Sequence, residues 1–233
     1  MISFWKVHGI GNDFVLVPSS LLGSRDPGAF ALRVCDRRLG VGADGLLVVD
    51  DQGPAKLQMF NPDGSPSGMC GNGLRCVAAW LHHVRGFPTE FSIGLSDRQV
   101  AARIEPSGWV SIQMGHATFE ATSVPFSVSG HEQLIRYPLT VEGRTWNVTA
   151  VGIGNPHAVI FDSLSGSAEL EYYGPLLEHH PAFPQRTNVH FVEVKSREHV
   201  IQHTWERGAG ITQACGSGAC AVVAAGHCLG VLD

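Results

Sequence analysis

The sequence predicts an α+β fold of two pseudo-symmetric halves, each a mostly antiparallel sheet or barrel wrapped on a central helix. Three observations predict it: a glycine-rich pattern that occurs twice, short apolar runs bounded by turn residues, and one longer apolar segment in each half. Residues 9–12 and 152–155 both read Gly-Ile-Gly-Asn, at an offset of 143. The turns that begin at Cys70 and Cys215 are offset by 145 and read Cys-Gly-Asn-Gly and Cys-Gly-Ser-Gly. Landmarks in matching register indicate an internal duplication.

The first half reads as strands, then one helix, then three more strands. Strands are predicted ahead of the helix at 14–17, 46–49 and 56–60. Residues 71–84 are rich in Ala, Leu, Val and Trp and predict the helix, with Gly86 as its stop. The strands predicted after it lie at 91–95, 99–104 and 109–114.

The second half repeats this order up to its helix. Its predicted strands lie near 146–151, 157–161, 188–194 and 200–205, and its predicted helix covers 216–229. That helix is apolar nearly all round, so we expect it to be buried rather than to lie on the surface. We place the domain boundary between 1–119 and 120–233, and the repeat predicts about 30 further residues of strand after the second helix.

Composition excludes several classes of protein. The chain has 233 residues, a formal net charge of −5 and a pI near 6.2, which gives no general attraction to nucleic acid or anionic lipid. No apolar stretch reaches the roughly 18 residues of a membrane span, and the N-terminus lacks a signal-peptide layout. The six cysteines form no dense disulfide framework, so we expect reduced thiols and a cytoplasmic protein. Cys35, Cys76, Cys220 and Cys228 are expected to be core residues.

The two cysteines at the Gly-rich turns predict the chemistry. Each thiol precedes a predicted helix, where the helix dipole and unpaired backbone N–H groups favour the thiolate. Two such thiols, one from each half, suit removal of a proton from one face of a carbon and its return to the other. Inversion at a stereocentre is therefore the first functional hypothesis. A zinc site is disfavoured because the cysteine spacings lack the Cys-x2–4-Cys pattern, and we predict no metal.

The motifs of this chain resemble the diaminopimelate epimerase family over essentially its whole length. The matching segments are 6–14 (KVHGIGNDF), 42–45 (GADG), 60–65 (FNPDGS), 69–76 (MCGNGLRC), 154–157 (GNPH), 187–189 (TNV), 205–210 (WERGAG) and 214–218 (ACGSG). The resemblance implies a cofactor-independent enzyme that interconverts LL- and meso-diaminopimelate in lysine synthesis. It also implies a small-molecule substrate and the possibility of a homodimer.

The resemblance also implies a role for each matching residue. Cys70 and Cys215 would be the two catalytic acid/bases, and His157 and Glu206 would tune their pKa values. Backbone N–H groups of Gly71, Asn72, Gly216 and Ser217 would hold the α-carboxylate at the reacting centre. Asn12 and Glu206 would bind near that centre. The distal amino acid end would be gripped by Asn61, Asn155, Asn188 and Arg207.

Other interpretations stay open at this point. Gly45 stands where some family members have a glutamine that touches the substrate, which puts that contact in doubt. The asparagines suit turns, His157 suits a hydrogen-bonded core position, and Glu206 with Arg207 suits a surface ion pair. A proline-type racemase of the same two-thiol layout is the nearest alternative enzyme, and a truncated, non-catalytic remnant is the alternative from another class.

Overall fold

The computed structural model describes residues 2–233, which divide into two compact units. Unit 1 extends to Gln113, and unit 2 is Met114–Asp233. Each unit is built on one sheet with helices packed against it. Among residues 2–233, no helix has the length and apolar character needed to cross a membrane.

From residue 2 to Gln113, unit 1 contains eight strands and three helices. The strands are β1 (Trp5–Gly9), β2 (Asn12–Pro18), β3 (Gly45–Asp50), β4 (Lys56–Phe60), β5 (Pro66–Ser67), β6 (Glu90–Gly94), β7 (Gln99–Ile104) and β8 (Val110–Ile112). The helices are α1 (Ser19–Leu22), α2 (Pro27–Val34) and α3 (Gly71–Arg85). The strand order is β1-β2-β3-β4-β6-β7-β8, and β5 pairs with β4. The β2–β3 and β4–β6 pairs are parallel and the others antiparallel.

The sheet of unit 1 is covered on both faces. Buried Leu74, Val77 and Leu81 of α3 join the larger core cluster on one face, while Leu22 and Ala31 of α1 and α2 belong to the cluster on the other. Strand β3 is consequently buried along nearly its whole length. Helix α3 ends at the predicted stop, because Gly86 adopts the left-handed conformation that closes a helix (φ 73°).

Unit 2 contains six strands and two helices. The strands are β9 (Tyr137–Val141), β10 (Arg144–Gly152), β11 (Pro156–Ile160), β12 (Asn188–Ser196), β13 (His199–Glu206) and β14 (Gly210–Ile211). The helices are α4 (Ser167–Glu178) and α5 (Gly216–Cys228). The sheet order is β14-β13-β12-β11-β10-β9, with β11–β12 as its parallel pair. Helix α4 contributes Leu170 and Leu177 to the core on one face, and α5 packs on the cluster around Val151 and Val159.

The two units share one order of pairing. In unit 1, β1–β2 is antiparallel, β2–β3 parallel and β3–β4 antiparallel, and α3 follows. In unit 2, β10–β11, β11–β12 and β12–β13 repeat that order ahead of α5. Such a repeat of topology at the same chain offset is what an internal duplication produces.

Helix α5 corrects two expectations drawn from composition. It buries Ala221, Val222 and Ala225 against the sheet, but Val223 on the opposite side is 53% exposed, so the helix is not buried all round. The reason is its cover: α5 packs mainly on β10, β11 and β12, whereas α3 also contacts β7 and β8. Cys228, expected in the core, is exposed in the last turn of α5, and Cys220 is only partly buried. Cys35 and Cys76 are buried as predicted.

Candidate active site

Each of the two predicted cysteines caps the N-terminus of a helix. Cys70 precedes α3 in an extended conformation (φ −143°, ψ 105°), and its Sγ accepts a hydrogen bond from the Gly73 N–H at 3.4 Å. Cys215 precedes α5 (φ −119°, ψ 109°), and its Sγ accepts from the Gly218 N–H, also at 3.4 Å. Backbone donors and the positive end of the helix dipole act on both sulfur atoms, which favours negative charge there.

The third residue of each helix lies very close to the strand below it, most closely in unit 2. A Cβ on Gly73 would lie 3.1 Å from Leu47 Cδ2, and one on Gly218 would lie 2.4 Å from His190 Cε1. The glycines of the two turns therefore let each helix start settle directly onto the sheet. Gly45, at the start of β3, is closely confined as well, since a Cβ there would lie 2.9 Å from the Phe60 carbonyl oxygen.

In unit 1, a network of polar side chains lies beside the Cys70 thiol. Asn12 Oδ1 lies 3.7 Å from Cys70 Sγ and accepts a hydrogen bond from Asn72 Nδ2 at 3.2 Å. Asn12 Nδ2 donates to Asp44 Oδ2 at 3.0 Å, which fixes the orientation of the Asn12 amide. Arg75 Nη2 donates to Asn72 Oδ1 at 2.5 Å. The structure thus brings Asn12, Cys70 and Asn72 together.

A cluster of charges lies behind Asn12. Arg37 Nη2 bridges Asp13 Oδ1 at 2.6 Å and Asp44 Oδ1 at 2.7 Å, and Lys6 Nζ contacts Asp13 and the Gly42 carbonyl. Burial of Asp13 acts to raise its pKa, but hydrogen bonds from Arg37 and Lys6 hold that pKa well below its usual range. The Asp13 carboxylate therefore stays charged and helps to anchor the group that orients Asn12.

In unit 2, a chain of buried hydrogen bonds lies beside Cys215. His157 Nε2 is 2.8 Å from Asn155 Oδ1, and His157 Nδ1 is 2.8 Å from His190 Nε2. His190 Nδ1 lies 3.0 Å from Thr204 Oγ1 and 3.1 Å from Gln202 Nε2. Both imidazoles are 0% exposed. Burial, followed by the neighbouring His190, lowers the pKa of His157 well below its usual value, and burial lowers the pKa of His190 to about 3, so both rings are neutral at pH 7.

The donor set of a metal site is present here, but its geometry is that of a hydrogen-bond network. Ligand atoms of His157, His190 and Cys215 all lie within 4.8 Å of one another. The two imidazole nitrogens that face each other are 2.8 Å apart and share a proton, whereas two nitrogens on one zinc ion at about 2.0–2.1 Å each would have to separate further. The cluster is therefore better described as a hydrogen-bonded pair beside a thiol.

The remaining predicted residues of unit 2 lie around the end of β13. Asn188, only 4% exposed, donates from Nδ2 to the Pro156 carbonyl at 2.9 Å and accepts the Arg207 N–H at 2.9 Å. The Glu206 carboxylate accepts from Thr212 Oγ1 at 2.6 Å. Arg207 Nη1 donates to the Gln185 carbonyl at 3.2 Å. Asn188 thus ties the start of β12 to the Glu206–Arg207 segment.

A buried carboxylate also holds that segment. Glu178, 3% exposed at the end of α4, accepts from Trp205 Nε1 at 2.7 Å and from the Gly208 N–H at 3.0 Å. The turn that carries Arg207 is therefore fixed from two sides. Asn61, at the turn after β4, bonds through its side chain to Ser65 Oγ at 2.9 Å, and within residues 2–233 its amide has no bond to another predicted site residue.

Sequence reasoning missed the residues that orient the site. In unit 1 these are Lys6, Arg37 and Asp44; in unit 2 they are Glu178, His190, Gln202 and Thr204. A residue-by-residue comparison of the duplicated strands would have identified His190, because the matching position in β3 is Leu47. A histidine where the other copy has leucine is a signal that one copy alone does not give.

Comparison with known proteins gives consistent matches. A family model described as diaminopimelate epimerase matches residues 4–120 and 149–233. Diaminopimelate epimerase 1 of a Nostoc species is 40% identical over 242 residues, which cover 100% of this chain and 86% of that protein. The diaminopimelate epimerase of Desulforudis audaxviator is 45% identical over 237 residues, 97% of this chain and 83% of that protein.

Solved structures share the fold at low sequence identity. A probable proline racemase from Agrobacterium radiobacter has a TM-score of 0.66 at 15% identity, and the match covers 100% of this chain and 79% of that one. A predicted epimerase from Pseudomonas aeruginosa has a TM-score of 0.61 at 18% identity, covering 99% and 83%. At these identities the structural matches establish the two-unit α+β fold.

Proposed function

Because the chain belongs to the diaminopimelate epimerase family, we propose that it is an isomerase that interconverts LL- and meso-diaminopimelate. The observation that carries the proposal is the repeated helix start, in which Cys70 and Cys215 each occupy the N-cap with Sγ on a backbone N–H. Such sites favour thiolates that can act as bases.

We propose a two-base reaction for the chemical step. The thiolate of one cysteine removes the α-proton of the substrate, and the electron pair of the broken C–H bond is delocalised into the α-carboxylate. The thiol of the other cysteine then donates its proton to the opposite face of the carbon. One sulfur gains a proton and the other loses one, so the roles of Cys70 and Cys215 exchange in the reverse direction. The thiols supply the acid and base, and we propose no cofactor.

The carbanion needs electrostatic stabilisation, for which helix N-termini are suited. We propose that backbone N–H groups of Gly71, Asn72, Gly216 and Ser217 bind the α-carboxylate, where preorganised donors stabilise the charge that develops in the transition state. Asn12 and Glu206 would bind near the same centre. The position of Asn12, 3.7 Å from Cys70 Sγ and held by Asp44, supports its part of this assignment.

We assign Asn61, Asn155, Asn188 and Arg207 to the distal amino acid end of the substrate. The bond between Asn188 and the Arg207 backbone supports the pairing of these two residues. His157 and Glu206 would set the acidity of the cysteines. Because burial keeps His157 uncharged, its influence would come from a fixed dipole rather than from a positive charge.

Cellular location and oligomeric state are further parts of the proposal. A mechanism that uses two thiols requires them to be reduced, which supports a cytoplasmic location. The homodimer stays a prediction from the resemblance, and sedimentation equilibrium would test it.

Solvent deuterium exchange tests the proposed reaction. Purified, reduced protein in D2O should incorporate deuterium at the α-carbon of diaminopimelate, as followed by mass spectrometry and by loss of the α-proton NMR signal. Cys70→Ser and Cys215→Ser should each abolish interconversion, whereas Cys228→Ser, which changes an exposed cysteine of α5, should not. Absence of exchange by the folded wild-type protein would overturn the enzymatic proposal and favour a non-catalytic remnant. Exchange into proline but not diaminopimelate would reassign the substrate.

A further inference from the structure

The two units differ at four matched positions beneath their helix starts. In unit 1 these positions form the apolar floor: Phe14, Leu47, Leu57 and Met59. In unit 2 they form the polar floor: His157, His190, Gln202 and Thr204. The match follows from strand register, since Leu47 pairs with Met59 as His190 pairs with Thr204.

The contacts at the helix starts support the match of Leu47 with His190. The side chain nearest a Cβ on Gly73 is that of Leu47, and the side chain nearest a Cβ on Gly218 is that of His190. The parallel strands agree as well, because Phe14 pairs with Gly45 as His157 pairs with Asn188. The polar floor therefore replaces an apolar one at the same place in the same architecture.

The fold does not require this replacement. The apolar floor supports α3 on its sheet by ordinary hydrophobic packing, whereas a buried polar floor stabilises a protein only if its groups find hydrogen-bond partners. Each of the two imidazoles here has a partner on both ring nitrogens. A network this complete, at a position where leucine and phenylalanine suffice in the other copy, indicates a role beyond packing.

In the polar floor, each histidine donates a hydrogen bond through Nε2 and accepts one at Nδ1. Asn155 Oδ1 can only accept, so His157 Nε2 carries a proton and donates it. A neutral His157 then accepts at Nδ1, which requires His190 Nε2 to be the donor. His190 Nδ1 is left as an acceptor, and the Gln202 amide, with Thr204, lies on that side as its donor. The acceptor at the Asn155 end and the donor at the Gln202 end therefore require the same tautomers of His157 and His190.

The hydrogen-bond chain ends at Asn155, which is half-buried. Its Oδ1 accepts the hydrogen bond from His157 Nε2. Its Nδ2 has no partner within residues 2–233, so the network leaves an amide donor in a fixed direction. An oriented amide N–H is suited to a carboxylate oxygen of a ligand.

We propose that His190 is a positioning residue of this site: by donating to His157 it sets the tautomer that holds Asn155, and it thereby directs the Asn155 amide N–H to a substrate carboxylate. The inference rests on the proposed function, in which Asn155 binds the distal end of diaminopimelate. His190 makes no substrate contact of its own in this account, and Gln202 and Thr204 complete its bonding from the opposite side.

Three variants separate positioning from packing. His190→Leu introduces the residue that unit 1 uses at the matching place and removes the donor to His157. His190→Gln keeps a side-chain N–H donor. The double variant His157→Phe, His190→Leu places the matching residues of unit 1 at both histidine positions and leaves no unpaired imidazole. His203→Leu, at an exposed position of β13, is the matched control for the same substitution.

We expect His190→Leu to raise the KM for diaminopimelate about 10- to 100-fold, with a smaller change in kcat, because the distal end loses an oriented donor. His190→Gln should recover part of the affinity. The double variant should unfold near the wild-type temperature and still show the raised KM. The control should retain the wild-type KM. A wild-type KM in His190→Leu, or in the double variant, would overturn the proposal.

Imidazole ¹⁵N NMR tests the network without turnover. In the wild-type protein, His157 should show a protonated Nε2 and an unprotonated Nδ1, and this pattern should be lost or mixed in His190→Leu. The opposite tautomer in the wild-type protein would overturn the proposed direction. If the wild-type protein shows the predicted tautomers but no deuterium exchange into diaminopimelate, the proposed function fails while the network stands, so the two failures are distinguishable.

Discussion

Substitution of Gly218 by alanine should destabilise the protein, although glycine to alanine within a helix usually stabilises by about 0.5–1 kcal/mol. The sign reverses because the added Cβ would lie 2.4 Å from His190 Cε1 and 2.8 Å from its Nε2. The ring cannot move aside freely, since both nitrogens are hydrogen-bonded. Overpacking costs about 1–3 kcal/mol and a displaced buried hydrogen bond about 1–3 kcal/mol. After subtraction of the helix gain, we expect a net loss of about 1–5 kcal/mol.

Gly73→Ala is the matched control. Its Cβ would lie 3.1 Å from Leu47 Cδ2, the end of a flexible side chain, and 3.6 Å from Met59 Sδ. A small shift of the leucine relieves this contact, so the free energy of unfolding should stay within about 1 kcal/mol of the wild-type value. Urea denaturation of reduced protein at pH 7.5, followed by circular dichroism, measures both variants. If Gly218→Ala proves as stable as Gly73→Ala, the close packing of His190 on the helix start is wrong. If the two contacts are coupled, His190→Leu should recover much of the loss in a double-mutant cycle.

Three further predictions concern polar groups that hold the site in place. Burial lowers the pKa of both imidazoles in the polar floor, so below about pH 6.5 the unfolded chain takes up protons that the folded chain does not. Stability that is present above that pH is therefore lost as the pH falls. His190, whose pKa is lowered to about 3, accounts for about 2 kcal/mol of this loss between pH 7 and 5, and His157 adds to it. Urea titrations at both pH values measure this loss of stability. An equal loss in the double variant His157→Phe, His190→Leu would contradict this origin. Asp44→Asn should lower deuterium exchange about tenfold, since the Asn12 amide loses a charged acceptor; unchanged exchange would show that Asp44 does not orient Asn12. Glu178→Gln should destabilise the protein by about 1–3 kcal/mol and raise the KM, because the Trp205 and Gly208 N–H donors then share one acceptor oxygen. An unchanged free energy of unfolding together with an unchanged KM would refute this role of Glu178.

Much of the framework could be predicted from the sequence, because most strands are short apolar runs between turns and helices α3 and α5 begin at Gly-rich turns. The central strands β3, β4, β12 and β13 and the helix α3 lie where pattern and punctuation place them. Helix α4 was missed because Gly174 and Pro175 lie within it, and both residue types disfavour a helix interior. Strand β1 was missed because none of its five positions is fully buried, so no apolar run marks it.

The candidate site was predictable only where a motif carried it. Cys70 and Cys215 stand at the predicted helix starts, but His190 lies in the apolar run of β12 and gives no separate signal within its own strand. Asp44 orients Asn12 from 32 residues away, a contact that depends on the parallel pairing of β2 with β3. The one-sided burial of α5 was likewise out of reach, since composition does not say which strands cover a helix.

The difference between the apolar and polar floors shows that two copies in one chain can differ in sequence where two identical subunits cannot. In a two-fold symmetric homodimer of one such unit, every substitution occurs in both subunits, so a histidine pair under one helix would necessarily be present under the other. A chain that encodes both copies in tandem is free of that constraint, and here one copy keeps Leu47 while the other has His190. Tandem fusion thus permits two sites with the same backbone to differ in their electrostatics. Forward and reverse turnover need not then share one pH profile or one isotope effect.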